Sequence, residues 1–315
     1  MEQIKIGVSS CLLGKEVRYN GGHSLDRYVT GTLSDYFQFV DICPEVEAGF
    51  GIPRETMRLV GDPETPRLVT TKTKKDFTEK MLSWAKRRVV ELEKEDLCGF
   101  IFKKNSPSSG MERVRIYTEK GMPSNRGAGM FAKAFMDHFP LVPVEEDGRL
   151  NDPGLRENFI ERIFAFRRWR QIAAERRSRG KIVAFHTAHK LQIMSHSIKH
   201  YREMGSFVAH AKNFDHKSLY EKYEELFMQA LSLKTTVKKN VNVLQHMAGY
   251  FKKQISGDEK QELQEVISQY HREFVPLIVP ITLFNHYVRK YDQKYLQDQY
   301  YLHPHPIELK LRNRV

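Results

Sequence analysis

The sequence predicts an α/β domain with an open, mainly parallel sheet, followed by an all-α domain. Strand-like and helix-like segments alternate in the first half of the chain, whereas helical periodicity runs through the second half. The length of 315 residues also exceeds the roughly 100–200 residues of a usual single domain. We expect the α/β domain over residues 1–168, a basic linker over 169–181 and a basic helical domain over 182–315.

In the first half, short apolar runs predict strands and a period of about 3.6 residues predicts helices. The expected strands are Ile4–Ser9, Phe37–Ile42, Arg67–Thr70, Cys98–Phe102, Arg113–Tyr117 and Leu141–Val144, and the expected helices are Phe77–Lys94, Gly127–His138 and Asp152–Trp169. Ligands of open parallel sheets bind outside the carboxyl ends of the strands. We therefore look for a site in the segments that directly follow strands.

The second half predicts a helical bundle. The expected helices are Ile182–Met204, Lys217–Leu233, Thr236–Ile255, Asp258–Phe274 and Ile281–Tyr291. Ser256, with Glu259 three residues later, predicts a capping box at the start of the fourth of these helices.

The net charge of +12 is concentrated in the second half. Residues 1–150 hold 23 Lys and Arg against 22 Asp and Glu, which gives +1, while residues 151–315 hold 28 against 17, which gives +11. Such a surface favours a polyanion such as nucleic acid, although a merely soluble basic domain is the simpler alternative. The predicted nucleic-acid surface combines lysines with aromatic rings that stack on bases: Lys238, Lys239, Lys252 and Lys253 with Tyr220, Tyr223, Tyr250, Phe251 and Tyr291.

Eleven of the thirteen histidines also lie in the second half. His186, His189, His196 and His200 are spaced so that they can share a helix face, which is compatible with zinc binding. No carboxylate or thiol joins them at ligand spacing, so surface or phosphate-contacting histidines are the favoured interpretation.

The composition indicates a cytoplasmic protein that does not cross a membrane. No apolar run approaches the roughly 20 residues of a membrane helix, and the first residues lack the pattern of a signal peptide. The three cysteines are too few for a disulfide framework in a chain of this size.

Two of these cysteines directly follow predicted strands. Cys11 follows the first strand, Cys43 follows the second, and the serine-rich segment KKNSPSSG follows the strand that ends at Phe102. The carboxyl ends of parallel strands share one edge, so the two thiols, the serine hydroxyls and Glu45 should meet there. Cys98 begins its strand, about 16–17 Å from the other end at ~3.3 Å per residue, and is expected in the core.

The motifs SSCLLG, VRYNGGH, CPEVEAGFGIPR and KKNSPSSG, in this order, resemble those of the thiouracil desulfidase family. The basic helical extension resembles the domain fused to it in the tRNA 4-thiouridine desulfidases. The resemblance implies a [4Fe-4S] cluster that is held by three protein thiolates and leaves one iron open to capture the sulfur of a thiocarbonyl. It implies removal of sulfur from 4-thiouridine in tRNA, or from a free thiouracil base, without net redox change.

The resemblance also suggests roles for individual residues. Glu45 is the expected base that activates water, and Ser106 or Ser108 orients the water or the leaving group. Arg18 and Asn20, in the turn after Cys11, are expected to fix the base or a phosphate.

The third cluster ligand departs from the family pattern, because the family has SPSCG where this chain has Ser109. Serine oxygen is a harder ligand than thiolate and its hydroxyl has a far higher pKa. Four alternatives stay open: Ser109 is the third ligand, Cys98 is, two thiolates hold the cluster, or the cluster is lost.

Other functional classes also remain. A noncatalytic tRNA-binding protein with a degraded cluster site would explain the charge. A thiol-nucleophile enzyme would need a base such as His23 near a cysteine. The glycine-rich GGH and GFG segments match neither common nucleotide-binding motif.

Overall fold

The computed structural model of the chain describes residues 3–118 and 121–314. The chain divides into two compact units, Met1–Asp152 and Pro153–Val315. The first is α/β and the second is helical, which confirms the predicted fold class. The division lies earlier than the predicted domain end at 168.

The predicted basic linker over 169–181 is mostly helical, with a connection only at 175–178. These residues form the end of one helix, a short connection and the start of the next helix. Trp169, within the run of arginines, has no exposed surface. The sequence did not indicate that Trp169 is buried, because a run of arginines is equally typical of a linker and of the exposed face of a helix.

Among the described residues, eight strands form two four-stranded sheets. They are β1 Ile4–Ser9, β2 Phe37–Ile42, β3 Met57–Val60, β4 Arg67–Thr70, β5 Phe100–Phe102, β6 Val114–Tyr117, β7 Pro123–Gly127 and β8 Val144–Glu146.

The first sheet has the order β2-β1-β5-β8, and all its neighbouring strands are parallel. The register places Ser9, at the end of β1, opposite Ile42, at the end of β2. β2 lies on one side of β1, whereas β5 and then β8, which come later in the chain, lie on the other side. A reversal of this kind opens a crevice outside the carboxyl ends of the central strands.

The second sheet is mixed, with the order β4-β3-β6-β7. β3 pairs with β6 in parallel, and the two outer pairs are antiparallel. The sequence predicted β4 and β6 as strands of a single sheet and did not predict β3 or β7. The segments MRLV and PSNRG are too short and too polar to show the strand period.

The first unit contains the helices α1 Arg27–Gly31, α2 Pro44–Glu47, α3 Thr78–Leu92 and α4 Met130–His138. α3 and α4 pack together through Trp84 and Phe131, whose ring centroids are 5.2 Å apart. Phe131 also packs edge-on against Phe100 and Phe102 of β5. This aromatic core fixes α4 beside the carboxyl end of β5.

The second unit contains α5 Pro153–Ala174, α6 Arg179–His196, α7 Ile198–Ala209, α8 His216–Ser232, α9 Val237–Ala248, α10 Gly257–His271, α11 Ile278–Lys290 and α12 Lys294–Gln297. The predicted capping box is confirmed, since Ser256 and Glu259 each accept a hydrogen bond from the other's backbone N–H. The predicted helix Ile182–Met204 is two helices, because Ser197 is extended and its hydroxyl caps α7.

None of the helices in the described part of the chain combines the length and the apolar character that a membrane crossing needs.

Candidate active site

A cavity of about 380 Å³ opens at the carboxyl edge of the parallel sheet. Its walls include Cys11, Cys43, Glu45 and Ser109, which come from three separate chain segments. Each segment directly follows β1, β2 or β5, and the parallel pairing of these strands brings their carboxyl ends to the same edge. The structure thus brings together the thiols, carboxylate and serine loop that the sequence placed at this edge.

Cys11 lies in a short 3-10 turn that follows β1. Its carbonyl oxygen accepts hydrogen bonds from the N–H groups of Gly14 at 3.3 Å and Ser24 at 2.9 Å, which fix the backbone that carries the thiol. The residue is 9% exposed. Burial raises the pKa of the Cys11 thiol to about 11, so it is protonated at neutral pH unless a bound cation stabilises the thiolate.

Cys43 is the N-cap residue of α2, and Pro44 fits the first helical position because it needs no backbone N–H partner there. The Cys43 N–H donates to Oε1 of Glu47 at 3.1 Å. Its Sγ lies 3.8 Å from the Val17 carbonyl oxygen. Burial, and then the nearby Glu45 carboxylate, raise the pKa of the Cys43 thiol to about 12.

These thiols are poorly suited to act as nucleophiles in the absence of a metal. A nucleophilic cysteine needs a lowered pKa and a neighbouring base. His23, the base considered for this role, is exposed, its Nδ1 accepts from the Leu25 N–H, and it does not line the cavity. The thiol-nucleophile hypothesis therefore has no support in the geometry.

Glu45 lies one residue into α2 and is fixed by three neighbours. Arg54 Nη2 lies 3.1 Å from its Oε2, and the two side chains are 8% and 14% exposed, Arg54 first. The Ser108 hydroxyl donates to Oε1. Oε2 also lies 3.8 Å from Sγ of Cys43. A carboxylate held in this way, in the wall of a cavity, has the geometry of a general base for a water molecule inside it.

The serine loop is organised by its own hydroxyls. Ser106 Oγ accepts from the N–H groups of Ser108 at 3.3 Å and Ser109 at 3.1 Å. Ser106 and Ser108 hydroxyls are 3.0 Å apart, so the contact to Glu45 extends to Ser106. Ser106 and Ser109 line the cavity, whereas Ser108 has no exposed surface and contacts Glu45 from behind.

The start of α4 fixes the serine loop through backbone hydrogen bonds. The N–H groups of Phe131 and Ala132 donate to the Ser108 carbonyl oxygen at 2.9 and 3.1 Å. Gly129 allows the close approach, because a Cβ at this position would lie 2.5 Å from the Ser108 carbonyl carbon. α4 thus sets the position of the serine that contacts Glu45.

Carboxylates at the end of β8 anchor both ends of the loop, a role that the sequence analysis missed. Asp147 accepts from the Lys104 N–H at 2.7 Å and pairs with the Lys103 ammonium group. Glu146 accepts from the Met111 N–H at 2.6 Å. The signal was the acidic run after the last predicted strand, at the same carboxyl edge as the other segments.

Of the two predicted substrate-binding residues, only Arg18 lines the cavity. Its guanidinium lies over the Tyr19 ring, 5.8 Å from the centroid. Asn20 is exposed, and its Oδ1 accepts from the Gly22 N–H at 3.2 Å. Asn20 therefore shapes the turn after Cys11, and its predicted contact with substrate has no counterpart in the cavity wall.

Cys98 is a core residue, as its position at the start of a predicted strand indicated. It has no exposed surface, and its N–H donates to the Lys5 carbonyl oxygen at 2.9 Å, near the start of β1. The cavity lies at the other end of β1, about 13–16 Å away at ~3.3 Å per residue. The alternative in which Cys98 supplies the third ligand is therefore wrong.

The donor set at the cavity is two thiols and the Ser109 hydroxyl. Within the described residues, no group of three or more His, Cys, Asp or Glu side chains is arranged to hold a metal ion. Two thiolates suit iron, because soft sulfur ligands are those of iron–sulfur clusters, and Ser109 lines the same cavity at the chain position where the resemblance predicts a third thiolate. The two thiols therefore fit an iron–sulfur site.

The predicted lysine and aromatic surface of the helical unit is only partly present. Tyr220, Tyr223 and Phe251 are buried in the core and cannot stack on bases. Lys239 donates through Nζ to the carbonyl oxygens of His196 and Lys234, both at 2.7 Å. The exposed members of the predicted set are lysines: Lys238, Lys252 and Lys253. The sequence could not separate core from surface aromatics, because lysines flank both.

The histidines are not a surface cluster either. His186, His189 and His196 are buried. Burial lowers the pKa of His186 to about 4 and that of His189 well below its usual range. Nδ1 of His186 lies 3.2 Å from the Tyr223 hydroxyl. His186 and His189 therefore serve as neutral polar members of the core.

The chain is similar to known families in both units. A model of the 2-thiouracil desulfurase family matches residues 6–147, and one of a family described as protein of unknown function (DUF1722) matches residues 190–306. The first unit is a 2-thiouracil desulfurase domain. The DUF1722 match runs from the end of α6 through α12 in the second unit.

Two proteins that are similar in sequence are described as uncharacterized. YbgA of Escherichia coli K12 is 31% identical over 158 residues, which cover 50% of this chain and 94% of YbgA. YbbK of Bacillus subtilis 168 is 34% identical over 108 residues, which cover 33% of this chain and 71% of YbbK. A solved structure, described as [4Fe-4S]-dependent thiouracil desulfidase TudS, is 25% identical, covers 48% of this chain and 95% of its own, and has a TM-score of 0.39.

Proposed function

We propose that the 2-thiouracil desulfurase domain makes this protein an iron–sulfur-dependent desulfidase that removes the thiocarbonyl sulfur of a thiouracil base. The observation that carries the proposal is the single cavity that Cys11, Cys43, Glu45 and Ser109 share. It combines ligands for a soft metal with a fixed carboxylate. A soft Lewis acid and a base each promote hydrolysis of a C=S group, whereas binding alone uses neither.

The reaction replaces sulfur by oxygen without a change in oxidation state. Glu45 takes a proton from a water molecule in the cavity, whose oxygen attacks the thiocarbonyl carbon. The hydroxyl that has added to the carbon then loses its proton, the carbon–sulfur bond breaks, and the ring carries a carbonyl. The sulfur leaves with both protons of the water, at the oxidation level of hydrogen sulfide. Ser106, at the cavity wall and within hydrogen-bonding distance of Ser108, orients the water.

Cys11, Cys43 and Ser109 would hold a [4Fe-4S] cluster, which when bound supplies an iron that polarises the thiocarbonyl and accepts the sulfide. The buried thiols need such a cation to ionise at neutral pH, because their pKa values are raised to about 11 and about 12. Ser109 is 4% exposed, and its N–H donates to Ser106 Oγ at 3.1 Å, which fixes its backbone at the cavity wall.

Anaerobic reconstitution tests the proposal. The protein, loaded with iron and sulfide, should show broad absorption near ~400 nm from thiolate-to-iron charge transfer and should convert 4-thiouracil to uracil, followed by chromatography. A protein that remains colourless and inactive would favour the alternative, a noncatalytic tRNA-binding protein with a degraded cluster site.

We further propose that the helical unit binds tRNA and that the substrate is 4-thiouridine within it. The charge of +11 in residues 151–315 supports a polyanionic partner. Changing the exposed lysines Lys238, Lys252 and Lys253 to Ala should weaken tRNA binding and reduce the salt slope by roughly 0.7–0.9 for each lost phosphate contact. Activity on 4-thiouracil should be unchanged. Affinity that does not fall with salt would contradict this partner.

A further inference from the structure

Arg54 makes several contacts in the cavity wall, and the sequence analysis gave it no role. Its guanidinium is almost buried, with 8% of the side chain exposed, yet it lines the cavity. Nη1 donates to two backbone carbonyl oxygens, Val17 at 3.0 Å and Gly51 at 3.1 Å. Nη2 lies 3.1 Å from Oε2 of Glu45. The two carbonyl contacts therefore fix the plane of the guanidinium independently of its contact with Glu45.

We infer that Arg54 is a positioning residue that sets the direction in which Glu45 presents its carboxylate to the cavity; this inference rests on the proposed function of Glu45. Ser108 holds one carboxylate oxygen and Arg54 the other. With both oxygens bound, the carboxylate has one orientation.

The same contacts connect Arg54 to the thiol. The Val17 carbonyl oxygen that accepts from Nη1 is also 3.8 Å from Sγ of Cys43. The Arg54 backbone N–H donates to the Tyr19 carbonyl oxygen at 2.8 Å. Arg54 thus contacts both the loop after Cys11 and the loop after Cys43.

Lysine cannot reproduce this arrangement. Arginine offers a planar fork with separate donors for the two carbonyls and the carboxylate, whereas an ammonium group is a single point at the end of a flexible chain. Arg54→Lys can keep the charge next to Glu45 but not the orientation. Arg54→Ala removes both.

The test uses the full-length, cluster-loaded protein with 4-thiouracil as substrate. A displacement of about 1 Å can cost about 100-fold in rate, so Arg54→Ala should lower kcat by about 100-fold and change KM by less than about twofold. Arg54→Lys should recover about 10-fold of that loss. Arg58→Ala, which removes a partly buried guanidinium stacked on Tyr117 away from the cavity, is the matched control and should keep kcat.

Two further measurements separate positioning from a general structural role. Iron content and absorption near ~400 nm should be the same in wild type and all three variants. Crystal structures of the unloaded variants should show the Glu45 carboxylate rotated away from Ser108 in Arg54→Ala and less so in Arg54→Lys. An unmoved Glu45, an unchanged kcat, an effect confined to KM, or loss of iron in Arg54→Ala would each overturn the inference.

The inference and the proposed function can fail separately. An inactive wild-type protein would overturn the proposed reaction, yet the crystal structures would still show whether Arg54 orients Glu45. An active wild type with an unaffected Arg54→Ala variant would leave the reaction standing and overturn the role of Arg54 alone.

Discussion

The role of Glu45 makes the sharpest prediction, because two different consequences follow from its removal. Glu45→Ala deletes the proposed base and also leaves Arg54 buried without its carboxylate partner. Loss of a general base lowers the rate by roughly 100-fold to 10,000-fold. Loss of one partner of a buried ion pair destabilises by about 3–5 kcal/mol, and we expect the lower end because both side chains keep some exposure.

Glu45→Gln separates the two effects. The amide oxygen can still accept from Arg54, so the free energy of unfolding should fall by only about 1–2 kcal/mol. The amide cannot take a proton from water, so turnover should be as low as in Glu45→Ala. Both variants should keep the absorption near ~400 nm, since Glu45 is not a proposed ligand.

The assay combines three measurements on each protein: chromatography of uracil formed from 4-thiouracil, urea denaturation and the absorption spectrum. Glu91→Gln, which changes an exposed carboxylate paired with Arg87 and Arg88 on α3, is the matched control and should alter none of them measurably. Turnover by Glu45→Gln within about 10-fold of wild type would refute the assignment of Glu45 as the base.

Three more predictions test the surroundings of the site and the helical unit. Ser109→Cys should increase the iron retained after gel filtration and Ser109→Ala should decrease it; equal iron in all three proteins would show that position 109 is not a ligand position. Gly129→Ala should destabilise by about 1–3 kcal/mol and lower turnover, because its Cβ would lie 2.5 Å from the Ser108 backbone, whereas Gly205→Ala, with no neighbour within 4 Å, should be neutral or slightly stabilising. Burial lowers the pKa of His186 from 6.5 to about 4, so the folded protein favours the neutral imidazole. Its contribution to the free energy of unfolding is therefore complete above pH 6.5, and about 3 kcal/mol of it is lost as the pH falls towards 4. Urea titrations should show a smaller loss of stability in His186→Gln.

The strands that build the site were predictable from the sequence, and the reason is physical. β1 and β2 have the bounds predicted, because the last four residues of β1 are buried and four of the six residues of β2 are apolar. Their parallel pairing then places Cys11 and Cys43 at one edge. The position of Ser109 followed from the same rule applied to β5.

The second sheet and the unit boundary were not predictable in the same way. β3 and β7 contain arginine and serine, and their pairing is decided by distant partners instead of a local period. Ser197 interrupts a helical pattern that continues on both sides, so the break between α6 and α7 left no signal in the apolar spacing. Tertiary contacts decided these features.

Arg54 shows a third limit of sequence reasoning. It stands at the end of the segment CPEVEAGFGIPR, where it was visible but had no assigned role. Its function depends on two carbonyl oxygens, Val17 and Gly51, and backbone acceptors carry no side-chain signature. Residues that act by holding backbone atoms are therefore the ones a motif search leaves without a role.

The site should exist before any cluster is bound, because backbone contacts within the protein fix each ligand position. The Cys11 carbonyl accepts from Gly14 and Ser24, the Cys43 N–H donates to Glu47, and the Ser109 N–H donates to Ser106. Small metal domains that lack such contacts unfold when the metal is removed. Chelation of iron from this protein should instead abolish turnover while the far-UV circular dichroism stays the same, and renewed reconstitution should restore activity. Loss of the circular dichroism signal on chelation would show that the cluster, and not the loop contacts, holds the cavity together.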